Sequence, residues 1–164
     1  MTSKTGTRIG IIGAGLMGHG IALVMARAGH TVDICDPDAH SRDTLHNRVS
    51  ESLSAMGGCD ADIPEIVKSI SVHQDIADAV GKAGFVFDAA PAKLPLKQQL
   101  FAEAEQHAPG DCILASNTSV IQISLLMEGL TTRHRALGTH WWNPPHMIPL
   151  VEVIRTEWTD EPAM

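Results

Sequence analysis

The feature that most constrains this chain stands near its start, where a short apolar run breaks into closely spaced glycines. Arg8-Ile9-Gly10-Ile11-Ile12 is rich in β-branched residues and ends at Gly13, the pattern of a strand buried on both faces. Gly13-Ala14-Gly15-Leu16-Met17-Gly18 follows at once. Apolar residues then recur at Ile21, Val24, Met25 and Ala28 with helical spacing, and Gly29 stops the run. Strand, G-x-G-x-x-G and helix in that order make a phosphate-binding turn. Gly13 permits the sharp reversal, Gly15 leaves the path of a pyrophosphate clear, and Gly18 lets the helix pack closely on the strand. The N–H groups at the helix start, around Leu16 and Met17, have no acceptor within the helix, and its dipole favours an anion.

A G-x-G-x-x-G alone recurs by chance, so the next strand decides what it means. Thr31-Val32-Asp33-Ile34-Cys35 reads as that strand, and Asp36 closes it 18 positions after Gly18 (36 − 18). A carboxylate there can accept hydrogen bonds from both adenosine ribose hydroxyls and would repel the extra phosphate of NADP. Asp36 could also do no more than cap the turn before Pro37. The whole constellation points to NAD as cofactor.

The rest of the chain continues the alternation. Helical patterns cover 39–56, 76–83 and 96–107, the last starting just after Pro95. Strand-like runs cover 69–73, 85–89, 112–116, 136–142 and 150–154, the final two separated by a proline-rich loop. Strands alternating with helices imply an α/β fold of the Rossmann type, a doubly wound, mostly parallel sheet with helices on both faces. Residues 1–155 are expected to form this domain and 156–164 a tail leading toward a further domain.

Composition excludes several partners. A formal charge of −7 argues against nucleic acid, which needs a basic surface. No apolar run approaches the roughly 18 residues of a membrane helix, and Met1 to Thr7 lacks the apolar stretch of a secretory signal, so a cytoplasmic protein is expected. Cys35, Cys59 and Cys112 form no CxxC and read as reduced, buried thiols. His134, His140 and His146 recur every six residues, which matches neither a helix face nor the usual zinc spacings, so no metal site is expected.

The last third carries the candidate chemistry: Ser116-Asn117-Thr118-Ser119, then His140-Trp141-Trp142-Asn143-Pro144, then Leu150-Val151-Glu152-Val153. Oxidising an alcohol with NAD needs a base for the hydroxyl proton, and histidine titrates near the working pH. A carboxylate behind the ring would fix its tautomer, and adjacent strands could bring Glu152 to His140. Ser119 lies just past a strand end, where ligands bind in such sheets, and its hydroxyl can donate to a substrate oxygen. Each residue also has a plainer reading: Ser119 as cap of a helix over 120–126, and Glu152 facing solvent on an edge strand.

The glycine turn, Asp36, the S-N-T-S segment, the H-W-W-N-P loop and the L-V-E-V strand together resemble the 3-hydroxyacyl-CoA dehydrogenase family, in its order and spacing over nearly the whole chain. The resemblance implies Ser119 on the substrate oxygen, His140 as base and Glu152 paired with it. It also implies Asn143 lining the substrate site, Asn117 near the nicotinamide and Lys97 at the cofactor edge. The implied substrate is a 3-hydroxyacyl-CoA.

Three departures stand out. The family carries a C-terminal helical domain that completes the cleft, adds a catalytic asparagine and makes the dimer; this chain stops at Met164. Ala92 replaces a family glutamate. Residues 39–68 are mixed in charge, where CoA-using members have a lysine-rich helical hairpin. The same chemistry on a small hydroxy acid or alcohol without CoA therefore stays open, as does NAD binding without turnover. A relation to the 3-hydroxyisobutyrate dehydrogenases, which share a G-x-G-x-M-G turn, is disfavoured by the His140–Glu152 pair. With the helical domain absent, Trp141, Trp142, Met147 and Ile148 are expected to form an exposed apolar patch, and the protein to be a homo-oligomer.

Overall fold

The computed structural model describes residues 6–57 and 60–164. Seven strands form one sheet in the order β3-β2-β1-β4-β5-β6-β7. They are β1 (Arg8–Ile12), β2 (Thr31–Cys35), β3 (Ile70–His73), β4 (Phe85–Asp88), β5 (Ile113–Ser116), β6 (Ala136–Trp141) and β7 (Val151–Ile154). The first six pair in parallel, and β7 runs antiparallel to β6. The order reverses between β1 and β4, and the crevice outside their C-terminal ends is the place where such sheets bind ligands.

Side-chain alternation along the strands builds two cores, one on each face. Ile9, Ile11, Val32, Ile34, Phe87, Ala115 and Leu137 point to one face, where α1 (Leu16–Arg27), α3 (Leu45–Ala55) and α4 (Ile63–Lys68) cover them. Ile12, Cys35, Val86, Leu114 and Ala136 point to the other, under α5 (Ile76–Val80), α6 (Leu94–His107) and α7 (Ile123–Met127). On α1, Ile21 and Leu23 are fully buried, each contributing roughly 1.5–3 kcal/mol, while Val24 and Met25 of the expected apolar face are half-buried and Ala28 is exposed.

The structure revises several expected elements. The helix expected over 39–56 breaks at Thr44, giving α2 (Ala39–Asp43), whose N-terminus Asp38 caps through Ser41 N, and then α3. The helix α6 begins at Leu94, with Pro95 in its first turn, where a missing N–H costs nothing. No helix starts at Ser119: α7 begins at Ile123 behind Gln122, so the capping role foreseen for Ser119 does not apply. Residues 156–164 fold back on the sheet, with Thr159 Oγ1 donating to Ala136 O at 2.8 Å and Asp160 N to His134 O at 2.8 Å.

Cys35 and Cys112 are buried and free, and burial pushes both thiols up to about 12, so neither is reactive near neutral pH. Cys59 lies outside the described residues. Among the described residues no helix is long and apolar enough to cross a membrane.

Candidate active site

The glycine turn closes the C-terminal end of β1. Gly13 sits at φ +103°, a backbone region that L side chains rarely adopt, and its N–H reaches Cys35 O at 2.8 Å. Gly18 lies so close to the turn that a β-carbon there would overlap Gly13 O at 1.8 Å. A β-carbon on Gly15, in contrast, would meet nothing within 4 Å. The turn is therefore built against the strand and open on the side of Gly15. No side chain caps α1, so the amides around Leu16 and Met17 are left for an anion.

Asp36 makes the turn contacts of its plainer reading. Its Oδ2 accepts from Ala14 N at 2.7 Å and its Oδ1 from Asp38 N at 2.9 Å, which ties the β2 end to the glycine turn. Each carboxylate oxygen retains acceptor capacity for a ribose hydroxyl. Open Gly15, uncapped α1 and a fixed Asp36 fit the pyrophosphate and adenosine ribose of NAD.

A pocket of about 270 Å³ opens beside this turn, lined by Met17, Asn117, Ser119, His140, Trp141, Trp142 and Asn143. It gathers residues that are far apart in sequence. The register of β6 and β7 sets His140 directly opposite Glu152, and His140 Nδ1 lies 2.6 Å from Glu152 Oε2. An ionised carboxylate only accepts, so Nδ1 carries the proton and Nε2 is left as the basic nitrogen. Glu152 is about half exposed, so the plainer reading of a solvent-facing glutamate is partly met as well. Ser119 is exposed after β5 and, among the described residues, its hydroxyl has no intramolecular partner. Asn117 Oδ1 accepts from Trp141 N at 2.9 Å, which fixes the strand next to His140.

Asn143 leads into a loop whose Pro145 sits against Gly20, where a β-carbon would lie only 2.9 Å from the proline ring. The Asn143–Pro144 peptide is cis. Trp142 stands 45% exposed, its ring 6.0 Å from that of His140.

Two expected placements are corrected. Lys97 does not stand at a cofactor edge. It is fully buried, with Nζ 2.5 Å from Oδ2 of the equally buried Asp88, because the first turn of α6 directs it under the sheet end. Ser116 Oγ at 2.8 Å and Ala90 N at 3.0 Å complete the Asp88 carboxylate. Trp141 is not part of an exposed patch. It faces inward and meets Phe87 edge to face at 5.7 Å, and Ile148 is half-buried. Trp142 and Met147 are exposed as expected, joined by Leu150 and Val153. Arg42 and Arg48, which grip backbone around the crevice, had no local signal in the sequence beyond their charge.

Fold and crevice define an NAD-binding Rossmann domain. The family model of the 3-hydroxyacyl-CoA dehydrogenase NAD binding domain matches residues 8–164, and the chain belongs to that family. It is 35% identical over 160 residues to the mitochondrial hydroxyacyl-coenzyme A dehydrogenase of Rattus norvegicus, covering 92% of this chain and 51% of that protein. Among solved structures, M. tuberculosis FadB2 superimposes with a TM-score of 0.91 at 34% identity, covering 98% of this chain and 57% of that one. The 3-hydroxybutyryl-CoA dehydrogenase of Escherichia coli K12 gives 0.85 at 32% identity, covering 98% and 34%. The chain thus spans about half the length of its mammalian relatives and less of the multifunctional ones.

Proposed function

We propose that this domain serves an NAD-dependent oxidation of a 3-hydroxy group on an acyl-CoA. The observation that carries the reading is the His140–Glu152 pair at 2.6 Å, on the rim of the pocket that Ser119 shares and beside the glycine turn. Bound NAD supplies the acceptor for the hydride that leaves the substrate carbon. The chain's own residues do the remainder. Ser119 Oγ donates to the substrate oxygen and holds it near His140. Nε2 of His140 takes the hydroxyl proton, and Glu152 steadies the imidazolium that results.

An acyl substrate is supported by a second groove of about 450 Å³ that shares Trp141 with the pocket and is lined by apolar residues including Leu23, Met56, Met147 and Ile148. That mostly apolar surface, with Arg27 and His146 as its titratable residues, favours an apolar ligand over a small free acid. The exposed Trp142, Met147 and Leu150 support covering of this face by protein, in a homo-oligomer or by a further domain.

The test is a turnover assay with NAD on the 164-residue chain and on any longer natural product that contains it. 3-Hydroxybutyryl-CoA is compared with free 3-hydroxybutyrate. Oxidation of the CoA ester with a clearly higher kcat/KM supports the proposal. Preference for the free acid would transfer the same chemistry to small hydroxy acids, and NAD binding without any turnover would leave a binding domain.

A further inference from the structure

The short helices α2 and α3 form an excursion between β2 and β3 that brings two arginines back to the cofactor crevice. Arg42, near the end of α2, donates from Nη1 to the carbonyl oxygens of Asp36 at 2.7 Å and Pro37 at 2.8 Å. Arg48, in the first turn of α3, donates from Nη2 to Ala14 O at 2.7 Å and Ser41 O at 2.9 Å, and from Nη1 to Gly15 O at 3.4 Å. Its Nε also reaches Thr44 Oγ1 at 3.2 Å. The crevice has two lips, the turn after β1 and the turn after β2. Arg48 grips the first and Arg42 the second, and Asp36 Oδ2 on Ala14 N joins them.

The grip has a direction. In a trans peptide the C=O and the next N–H point opposite ways. The carbonyls of Ala14 and Gly15 share peptide units with the N–H groups of Gly15 and Leu16. The Gly15 carbonyl is already held by α1, where it accepts from His19 N at 3.0 Å, so the bond that bears on the turn itself is Arg48 Nη2 on Ala14 O at 2.7 Å. Holding the Ala14 carbonyl toward Arg48 turns the Gly15 amide to the opposite side of its peptide, and space is open around Gly15. The glycine turn has no side chain of its own to set this orientation. The Arg48 guanidinium, anchored on Ser41 O and donating to Ala14 O, sets it from outside, and charge-assisted bonds of this kind are stronger than neutral ones.

We propose that Arg42 and Arg48 are cofactor-positioning residues. Arg48 aims the Gly15 amide at the pyrophosphate, and Arg42 holds Asp36 at the adenosine ribose. The proposal rests on the NAD reading of the site. It gives residues 39–55 a cofactor task that is independent of whether the substrate carries CoA.

The experiment titrates NAD, ADP and adenosine into the full chain by calorimetry, for wild type, Arg48→Lys and Arg42→Lys, with thermal midpoints measured without ligand. Lysine keeps the charge but cannot span several carbonyls at once. Arg48→Lys is expected to weaken NAD and ADP about tenfold or more while adenosine binding is unchanged, since tenfold corresponds to the loss of about one charge-assisted bond. Arg42→Lys is expected to weaken NAD and adenosine alike. A plain structural staple would lower the midpoint and leave these affinities as in wild type, and a folded variant that binds NAD at wild-type strength overturns the proposal for its residue. Should Arg48→Lys not fold, Arg48→Gln is read in the same way, and Arg42→Lys tests the other lip independently. A wild-type chain that binds no NAD would overturn the parent reading instead.

Discussion

His140 and Glu152 face each other across the antiparallel pair β6–β7, with Nδ1 and Oε2 2.6 Å apart. In the proposed mechanism the carboxylate acts through the ring, so the two residues should behave as one unit in kinetics. In a product that turns over, His140→Ala is expected to lose about 10²–10⁴-fold in kcat, the usual worth of a general base. Glu152→Gln should lose less, and the double variant little more than His140→Ala alone. Losses that multiply would make Glu152 an independent contributor, and near-normal turnover by His140→Ala would remove it as the base.

The buried pair of Lys97 and Asp88 leads to a stability prediction. Both side chains are fully enclosed, and Asp88 also receives Ser116 Oγ and Ala90 N. Lys97→Met leaves a buried carboxylate without its cation, which typically costs about 3–5 kcal/mol. Adding Asp88→Asn should recover part of that loss, because the uncompensated charge disappears. Urea unfolding of the three proteins measures both quantities. A loss below about 1 kcal/mol in Lys97→Met would show that solvent reaches the site, since only exposed pairs are worth so little.

The sheet and its phosphate turn were legible in the sequence because they rest on local patterns. Short β-branched runs, glycine spacing and an acid at the end of β2 each state their role within a few residues. His140 and Glu152 were readable as a pair because both flank one loop, so that adjacent strands could align them. What was not legible depends on direction in space. Nothing near Lys97 shows that α6 turns it inward onto a carboxylate nine residues upstream (97 − 88). Trp141 and Trp142 look alike in sequence, yet strand alternation buries the first on Phe87 and exposes the second. Arg42 and Arg48 looked like solvated charges because their acceptors are backbone carbonyls, which every residue has.

Stability at mildly acidic pH should depend on His19. This ring is buried between α1 and α3, with Nε2 3.3 Å from Ser52 Oγ and no partner for Nδ1 among the described residues. Burial lowers its pKa from 6.5, and the nearby Arg48 charge lowers it further. The unfolded chain therefore binds a proton at this position before the folded one does. The stability that a neutral His19 allows is present above about pH 6.5, the ordinary histidine value, and is lost as pH falls through the lower folded value. One such group contributes at most about 1.4 kcal/mol per pH unit. His19→Gln should flatten the fall in unfolding free energy between pH 7 and pH 5 relative to wild type. Equal slopes in denaturant titrations of the two proteins would exclude His19 as the source.

Two glycines of one turn should respond to the same substitution in opposite ways. Gly18 faces Gly13 O so closely that an added β-carbon would stand 1.8 Å from it, and that oxygen belongs to backbone that cannot swing aside. Gly18→Ala must push α1 off β1 or distort the turn, and overpacking of this kind costs about 1–3 kcal/mol or more. Gly15 has φ −72°, which alanine accepts, and nothing lies within 4 Å of its would-be β-carbon. Gly15→Ala should therefore fold with a thermal midpoint close to wild type. The methyl group would occupy the open side of the turn, the approach that the pyrophosphate requires. NAD binding should fall by at least about tenfold, equivalent to about 1.4 kcal/mol, in a protein whose unliganded stability is unchanged. Calorimetric titration and thermal unfolding of both variants separate the two effects. Wild-type NAD affinity in Gly15→Ala would mean that the phosphates pass elsewhere, and a Gly18→Ala protein as stable as wild type would mean that helix and strand are less tightly joined than their geometry states.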